Sequence, residues 1–273
     1  MGTSSGDDDP MTYILAIANQ KGGVAKTTTV VSLGGALAKM GNEVLMVDLD
    51  AQANLTLSLG NKPNGTHGSI ADVLLNSADI YSVSQQSGIE GIDLVSANQE
   101  MELAERFLPI RQNYERVLRD SLNGRKAYDY ILLDCPPSMG AVTLNALNAA
   151  HMLIIPTQPE YFSAHALRSM MTATRKVRGQ HNPNLVYRVL ITMQDLRNRI
   201  HRELSEQIFN TFGEGVFQAV IQLDTKLRES AVAGLPITHY RTTTRSTIQY
   251  SALAEELIQY VQETYRQPDP EFI

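Results

Sequence analysis

The feature that most constrains the fold is a repeated alternation of short apolar runs with helix-like segments. Runs such as "YILAIA" and "YDYILLD" are continuously apolar, which is typical of strands buried on both faces. Alternation with short connections implies right-handed crossovers and an α/β fold with a doubly wound, mainly parallel sheet flanked by helices. The pattern predicts strands at 13–18, 43–48, 92–97, 128–134, 151–156 and 186–193, and helices at 26–40, 69–75, 100–122 and 247–265.

The length and composition are those of one globular domain. The chain has 273 residues, 43% hydrophobic and 19% charged, so we predict a single domain over residues 11–273. The first ten residues, "MGTSSGDDDP", read as a flexible leader or tag. Cys135, the only cysteine, excludes a disulfide framework within the chain and any multi-cysteine metal site. No apolar run approaches the ~20 residues of a membrane span.

The segment "NQKGGVAKTTT" joins the first predicted strand to the first helix. Its glycines let the backbone turn N–H groups inward, and the helix start adds its positive dipole end, so the loop predicts a phosphate cradle. Lys26 would reach the β- and γ-phosphates of ATP, and the Thr27 hydroxyl would coordinate Mg²⁺. The alternative, a glycine turn without a ligand, is disfavoured because strand, loop, Lys-Thr pair and helix occur in the required order. The predicted nucleotide-binding residues are Lys21, Gly22, Gly23, Val24, Ala25, Lys26, Thr27 and Thr28.

Ala25 holds the place where the usual phosphate-binding pattern has glycine before the lysine. A methyl group is tolerated there if the residue keeps a negative φ. Alanine at this position is compatible with a phosphate-binding loop on that condition.

Three carboxylates end predicted strands. Asp48 and Asp50 follow the second strand, and Asp134 ends "YILLD", the position of the Mg²⁺-associated acid in phosphate-loop enzymes. Strand alternation points Asp48 and Asp50 to the same side if the extended geometry continues. One would serve the water shell of the metal and the other the attacking water. The alternative is that one of them caps the following segment.

Four motifs in order resemble those of the ParA/MinD ATPases. "KGGVAKTTT" resembles their deviant Walker A motif, "VDLDAQAN" their first switch segment, and "ILLDCPPSMG" their Walker B motif and second switch segment. "LRESAVAGLPI" resembles the late motif of the ParA (Soj) branch, and the resemblance spans residues 13 to about 260. Ala51 and Ala53 depart from the proline and glycine that are common in the first switch segment, and the adenine contacts stay unassigned.

The resemblance assigns roles to these residues. Lys21 would cross a homodimer interface to the ATP of the other subunit, while Lys26 binds phosphates within its own subunit. Asp50 would orient the hydrolytic water, so the predicted catalytic residues are Lys21, Lys26 and Asp50. The predicted metal residues are Thr27, Asp48 and Asp134.

Several branches of this family fit the sequence poorly. Nitrogenase iron protein and its relatives bridge an iron–sulfur cluster with two cysteines from each subunit, which Cys135 alone does not supply. MinD-like members bind membrane through a basic C-terminal helix, whereas the tail here is acidic, so we expect no stable membrane association. The kinases of this class carry a clustered tyrosine tail, and the tyrosines here are spread.

ParA proteins bind non-specific DNA in the ATP-dimerised state, and the charge distribution of this chain permits that. The net charge is −6, but residues 165–245 contain 12 basic and 6 acidic residues. The alternative is an ordinary solvated face. The predicted DNA-binding residues are Arg199, Arg202, Lys226, Arg228, Arg241 and Arg245.

The resemblance thus predicts a Mg²⁺-dependent ATPase, cytoplasmic and nucleoid-associated, that segregates a plasmid or chromosome. A ParB-like adaptor would stimulate hydrolysis. Three alternatives remain: the same cycle positioning a protein cargo such as a carboxysome or chemoreceptor cluster, a MinD-like membrane regulator, and a nucleotide-binding module that barely turns over.

Overall fold

A computed structural model describes residues 12–63, 67–123, 127–161 and 163–265. The predicted leader at 1–10 and the end of the acidic tail lie outside the described residues.

A seven-stranded sheet forms the centre of the described chain, in the order β3-β4-β2-β5-β1-β6-β7. All neighbouring pairs are parallel except β3 with β4. The predicted mainly parallel α/β sheet is therefore confirmed, and each predicted strand is present with ends shifted by one or two residues. The strands are β1 (Tyr13–Ile17), β2 (Val44–Asp48), β3 (Gln85–Ile89), β4 (Ile92–Val95), β5 (Tyr130–Asp134), β6 (Met152–Thr157) and β7 (Val186–Ile191).

Helices connect the strands and cover the sheet. The helices are α1 (Lys26–Lys39), α2 (Asn54–Ser58), α3 (Ile70–Asn76), α4 (Ile80–Val83), α5 (Met101–Phe107), α6 (Val117–Leu122), α7 (Ala141–Ala149), α8 (Ser163–Gln180), α9 (Arg199–Phe212), α10 (Lys226–Val232), α11 (Ile237–Tyr240) and α12 (Arg245–Tyr265).

The predicted long helix at 100–122 is wrong. The chain there forms α5, two short 3₁₀ segments and α6. Pro109 lies in the first 3₁₀ segment, and Asn113 has φ 56°, a left-handed conformation that no continuous helix contains. The apolar periodicity continues across the break because both pieces pack on the same core.

Two hydrophobic cores lie on opposite faces of the sheet. Successive residues of β1 alternate between them: Tyr13, Leu15 and Ile17 join the core under α1 and α12, while Ile14 and Ala16 join the core under α3 and α5 to α9. Burial on both faces explains why the strands read as continuous apolar runs.

This topology gathers the predicted functional residues at one edge. β1 lies between β5 and β6, and β2 lies beside β5. In register, Asp134 of β5 is opposite Ile17 of β1 and Asp48 of β2. The phosphate loop and the aspartates therefore meet beyond the carboxyl ends of the central strands, where doubly wound sheets bind ligands.

Candidate active site

The loop between β1 and α1 turns through two left-handed residues, Gly23 with φ 74° and Ala25 with φ 66°. Ala25 is the residue before α1, and no side chain caps that helix. The alternation of left- and right-handed residues points successive N–H groups into one concavity, which is a nest for anions.

The condition of a negative φ at Ala25 is not met, since its φ is 66°. The cradle requires the left-handed conformation whichever residue stands there, and the methyl group is accommodated at a cost of about 1–2 kcal/mol. Ala53 repeats this arrangement before α2, with φ 52°.

Thr27 and Asp134 connect the loop to β5. The Thr27 hydroxyl donates a hydrogen bond to Oδ2 of Asp134 at 2.7 Å. Asp134 is buried, and its Oδ1 has no hydrogen-bond partner among the described residues. Burial and the neighbouring Asp48 raise the pKa of Asp134 well above its usual range.

Lys26 supplies the positive charge nearest to these carboxylates. It is half-buried, and burial lowers its pKa while the charge of Asp134 opposes the shift. Its ammonium lies 3.5 Å from the carbonyl oxygen of Lys21, which leaves it at the loop rather than on a carboxylate. Lys26 is therefore placed for an anion in the cradle.

Asp48 caps the first switch segment. Its Oδ2 accepts hydrogen bonds from the amide and the hydroxyl of Thr56, and its Oδ1 accepts one from the amide of Asp50. Burial raises its pKa to about 6 despite these donors. Both oxygens are engaged, so the structure shows the capping arrangement that was the alternative to direct metal binding.

Asp50 faces a cavity that it shares with the phosphate loop. The cavity measures about 540 Å³, within the usual range for small-molecule sites. Asp50 is half-buried, and its Oδ1 accepts a hydrogen bond from the amide of Gln52. The loop residues Gly22, Gly23, Ala25, Lys26, Thr27 and Thr28 line this cavity together with four apolar residues, Met193, Ile221, Leu223 and Leu227, to which the sequence analysis assigned no role.

Lys21 points away from the cradle. Its ammonium forms an ion pair with Glu160 of the same chain, just after β6, and the two side chains are 29% and 41% exposed. Glu160 was not among the residues predicted from the sequence. The one indication was that a carboxylate follows shortly after a strand that ends at the same edge of the sheet.

Glu105 holds the end of the second switch segment. Its carboxylate accepts hydrogen bonds from the amides of Ala141 and Val142 at 2.9 and 3.0 Å, at the first turn of α7. A Cβ at Gly140 would lie 1.3 Å from Oε1 of Glu105, so a larger residue there would displace this carboxylate. This contact could not be predicted from the sequence, because α5 was predicted as part of a longer helix.

The residues present fit a Mg²⁺ ion. The partnerless Oδ1 of Asp134 and the Thr27 hydroxyl are hard oxygen donors that meet at the cradle. Mg²⁺ is usually bound by one or two carboxylates together with phosphate oxygens and water.

The predicted DNA-binding residues differ in their surroundings: three contact neighbours close in the sequence, and three lie at the nucleotide cavity or are exposed. Arg199 pairs with Glu203 at 2.6 Å, Lys226 pairs with Glu229 at 2.7 Å, and Arg202 donates to the carbonyl oxygen of Leu196. Arg228 lines the nucleotide cavity, Arg245 donates to Gln222 at its rim, and Arg241 is exposed after α11.

Comparison with known proteins decides the family. A family model described as an AAA domain matches residues 12–187. The chromosome partitioning protein ParA of Caulobacter vibrioides is 36% identical over 90% of this chain and 93% of its own length. The sporulation initiation inhibitor protein Soj of Bacillus subtilis is 36% identical over 90% of this chain and 98% of its own length. The chain belongs to the ParA/Soj family of partition ATPases.

A solved structure agrees with this membership. The cobyrinic acid a,c-diamide synthase of Mycobacterium smegmatis with bound ADP and magnesium has a TM-score of 0.81 and 33% identity. The match covers 94% of this chain and 98% of that one. The ParA/Soj chain is thus a P-loop ATPase whose relatives bind nucleotide and magnesium. None of its described helices is long and apolar enough to cross a membrane.

Proposed function

We propose that this chain is an ATP-dependent dimerising ATPase that binds non-specific DNA and segregates a plasmid or chromosome. The observation that carries the proposal is the different position of the two loop lysines. Lys26 lies at the cradle near Asp134, whereas Lys21 is held at the rim by Glu160. A single subunit needs one lysine for its own phosphates, so the second is available for the nucleotide of a partner.

The chemistry follows from the residues of the cradle. Loop N–H groups and Lys26 bind the phosphates, and Thr27 with Asp134 would hold Mg²⁺, which neutralises phosphate charge when bound. Asp50 orients the attacking water from the other side of the cavity. Asp48, predicted as a metal ligand, acts through Thr56 and Asp50 by fixing the first switch segment.

Dimerisation completes the site. Lys21 leaves Glu160 and contacts the nucleotide of the second subunit, where an extra cation stabilises charge on the transferred phosphoryl group as an arginine finger does. ATP then joins the subunits into a homodimer, and hydrolysis releases them.

DNA binding follows from the dimer. Weak cationic patches on two subunits act together on one duplex, because each neutralised phosphate releases counterions and adds to affinity. Arg202, Arg228, Arg241 and Arg245 are the predicted contacts that no described carboxylate pairs with. A ParB-like adaptor stimulates hydrolysis, and the protein acts in the cytoplasm on the nucleoid, with its activity in one domain over residues 11–273.

The test is binding to a non-specific DNA duplex with ATP, ADP or no nucleotide over a salt series. We expect ATP-dependent, salt-sensitive binding by the wild type and its loss in Lys21→Ala. Lys39→Ala is the matched control, since Lys39 is an exposed lysine at the far end of α1. DNA that stays unbound in every nucleotide state refutes the DNA-binding part and leaves liposomes and protein cargo as the partners to test.

A second measurement isolates the catalytic role of Asp50. ATP turnover is compared between the wild type and Asp50→Ala at saturating ATP. We expect turnover to be lost with nucleotide binding retained. Equal rates would remove Asp50 from catalysis and favour a module that binds nucleotide without using it.

A further inference from the structure

The helix α8 carries a basic face that the predicted DNA-binding residues do not include. From residue 161 to 194 the chain has no acidic residue and contains five Lys or Arg residues. The buried side of α8 consists of Ser163, Leu167, Met170, Thr174 and Val177.

The opposite side of α8 presents four polar side chains in one stripe. Arg168, Thr172, Arg175 and Lys176 are exposed, and 3.6 residues per turn places them within about 100° of one another around the axis. The first and last of them are about 12 Å apart along the helix at a rise of 1.5 Å per residue. The stripe is therefore a continuous surface and not a set of scattered charges.

Among the described residues, the cations of this stripe have no acidic partners. No described carboxylate lies within ion-pair distance of Arg168, Arg175 or Lys176. By contrast, two of the predicted DNA-binding residues, Arg199 and Lys226, are neutralised by carboxylates one helical turn away. On charge alone, the unpaired cations of α8 are more available to a polyanion than Arg199 or Lys226.

The side chains of the stripe also indicate which polyanion fits. Protein–protein contacts are anchored by aromatic and large apolar residues and are poor in lysine. No residue of α8 is among the large hydrophobic side chains that the described part of the chain exposes. Arginine, lysine and threonine are the residues that contact DNA phosphates.

We propose that the stripe of Arg168, Thr172, Arg175 and Lys176 binds the phosphate backbone of duplex DNA. This inference rests on the proposed function, because the duplex is the same non-specific partner. The first half of α8 lies beside the start of the phosphate loop: Ser169 donates to the side chain of Gln20 at 2.8 Å, and the ion pair of Glu160 with Lys21 precedes the helix. DNA on α8 is therefore adjacent to the residues that change partners when ATP joins two subunits.

The experiment measures affinity for a fluorescein-labelled non-specific duplex by anisotropy, with ATP, over a salt series. Each lost phosphate contact lowers the slope of log affinity against log salt by about 0.9. In Arg175→Ala/Lys176→Ala we expect the slope to fall by about 2 to 4, since a dimer has two such helices, and affinity near 0.1 M salt to fall at least ten-fold. Arg175→Lys/Lys176→Arg keeps both charges and should restore both values.

The matched control removes two exposed arginines at the opposite edge of the sheet. Arg116→Ala/Arg119→Ala has the same charge change, and Arg119 lies near His151 at the start of β6, far from the nucleotide loop. We expect a slope within 0.5 unit of the wild type, less than one contact. Thermal unfolding of each variant checks that it is folded.

The outcomes separate this inference from the function on which it rests. Wild-type binding with an unchanged slope in the α8 variant overturns the inference and leaves the proposed function intact. Equal losses in the α8 variant and the control also overturn it, because net charge alone would then explain the effect. Wild-type protein that binds no DNA overturns both; in that case, binding of fluorescein-labelled polyglutamate that the α8 variant loses would identify an acidic protein as the occupant of α8.

Discussion

Replacing Ala25 by glycine should stabilise the protein, although alanine-to-glycine changes in helices do the opposite. Ala25 has φ 66°, and the left-handed region costs a residue with a Cβ about 1–2 kcal/mol. Glycine also increases the conformational entropy of the unfolded chain, which offsets about 0.4–1 kcal/mol of this gain. The net expectation for Ala25→Gly is a gain of about 0.5–1 kcal/mol.

Ala53 provides an internal comparison. It has the same left-handed conformation, with φ 52°, but its methyl group is buried in the core beneath α3 and α5. Loss of a buried methyl costs about 0.8 kcal/mol, which cancels the relief of strain. We expect Ala53→Gly to change stability by less than about 0.5 kcal/mol.

The assay is thermal unfolding without nucleotide, followed by circular dichroism. Near 250 residues, about 1 kcal/mol corresponds to a shift of about 2–4 °C, so Ala25→Gly should raise the midpoint by about 1–4 °C. The control is Ala252→Gly, an exposed position inside α12 where glycine should cost about 1 kcal/mol. If Ala25→Gly lowers the midpoint as much as the control does, residue 25 is not left-handed and the strain argument fails.

Three further predictions follow from individual contacts. Glu160→Gln removes the carboxylate that pairs with Lys21, so light scattering should detect dimers at lower ATP concentration than in the wild type; an unchanged dependence would show that the ion pair does not restrain dimerisation. Glu105→Ala removes two hydrogen bonds from the start of α7 and should cost about 1–2 kcal/mol in urea unfolding, with Glu105→Gln less affected; equal stability of all three proteins would disprove the cap. Burial lowers the pKa of His151, whose Nδ1 accepts a hydrogen bond from the amide of Ile14. The neutral form of His151 therefore stabilises the fold above pH 6.5, and this contribution to stability is lost as the pH falls from 6.5 through the lowered pKa. In His151→Asn the loss of stability between pH 7 and pH 5 should be smaller, and an equal loss would assign the pH dependence to other groups.

The sheet and the cradle could be predicted because their signals are local. A strand buried on both faces reads as one apolar run, and the glycines and the Lys-Thr pair stand next to each other in the chain. The parallel topology then brings Asp134 to the loop without further information, since the carboxyl ends of parallel strands share an edge.

The predictions that failed depend on geometry that a sequence pattern does not encode. The helix at 100–122 was wrong because a 3.6-residue period survives a break when both pieces face the same core. Ala25 has a positive φ although a methyl group favours a negative one, because the phosphate cradle decides the backbone conformation there. Glu160 and Glu105 contact residues more than 30 positions away, and neither belongs to a motif.

The electrostatics of the site explain why one chain carries two lysines in its phosphate loop. Burial raises the pKa of Asp134 and lowers that of Lys26, so each of these charged groups is unfavourably desolvated in the isolated subunit. A magnesium–nucleotide complex would supply a cation for Asp134 and an anion for Lys26, and both pKa values would return toward their usual range. A second buried lysine in the same subunit would add a desolvation cost without an anionic partner of its own. Lys21 avoids this cost by pairing with Glu160 at the solvent-exposed rim, and in the proposed dimer it would exchange Glu160 for a phosphate group of the other subunit's nucleotide.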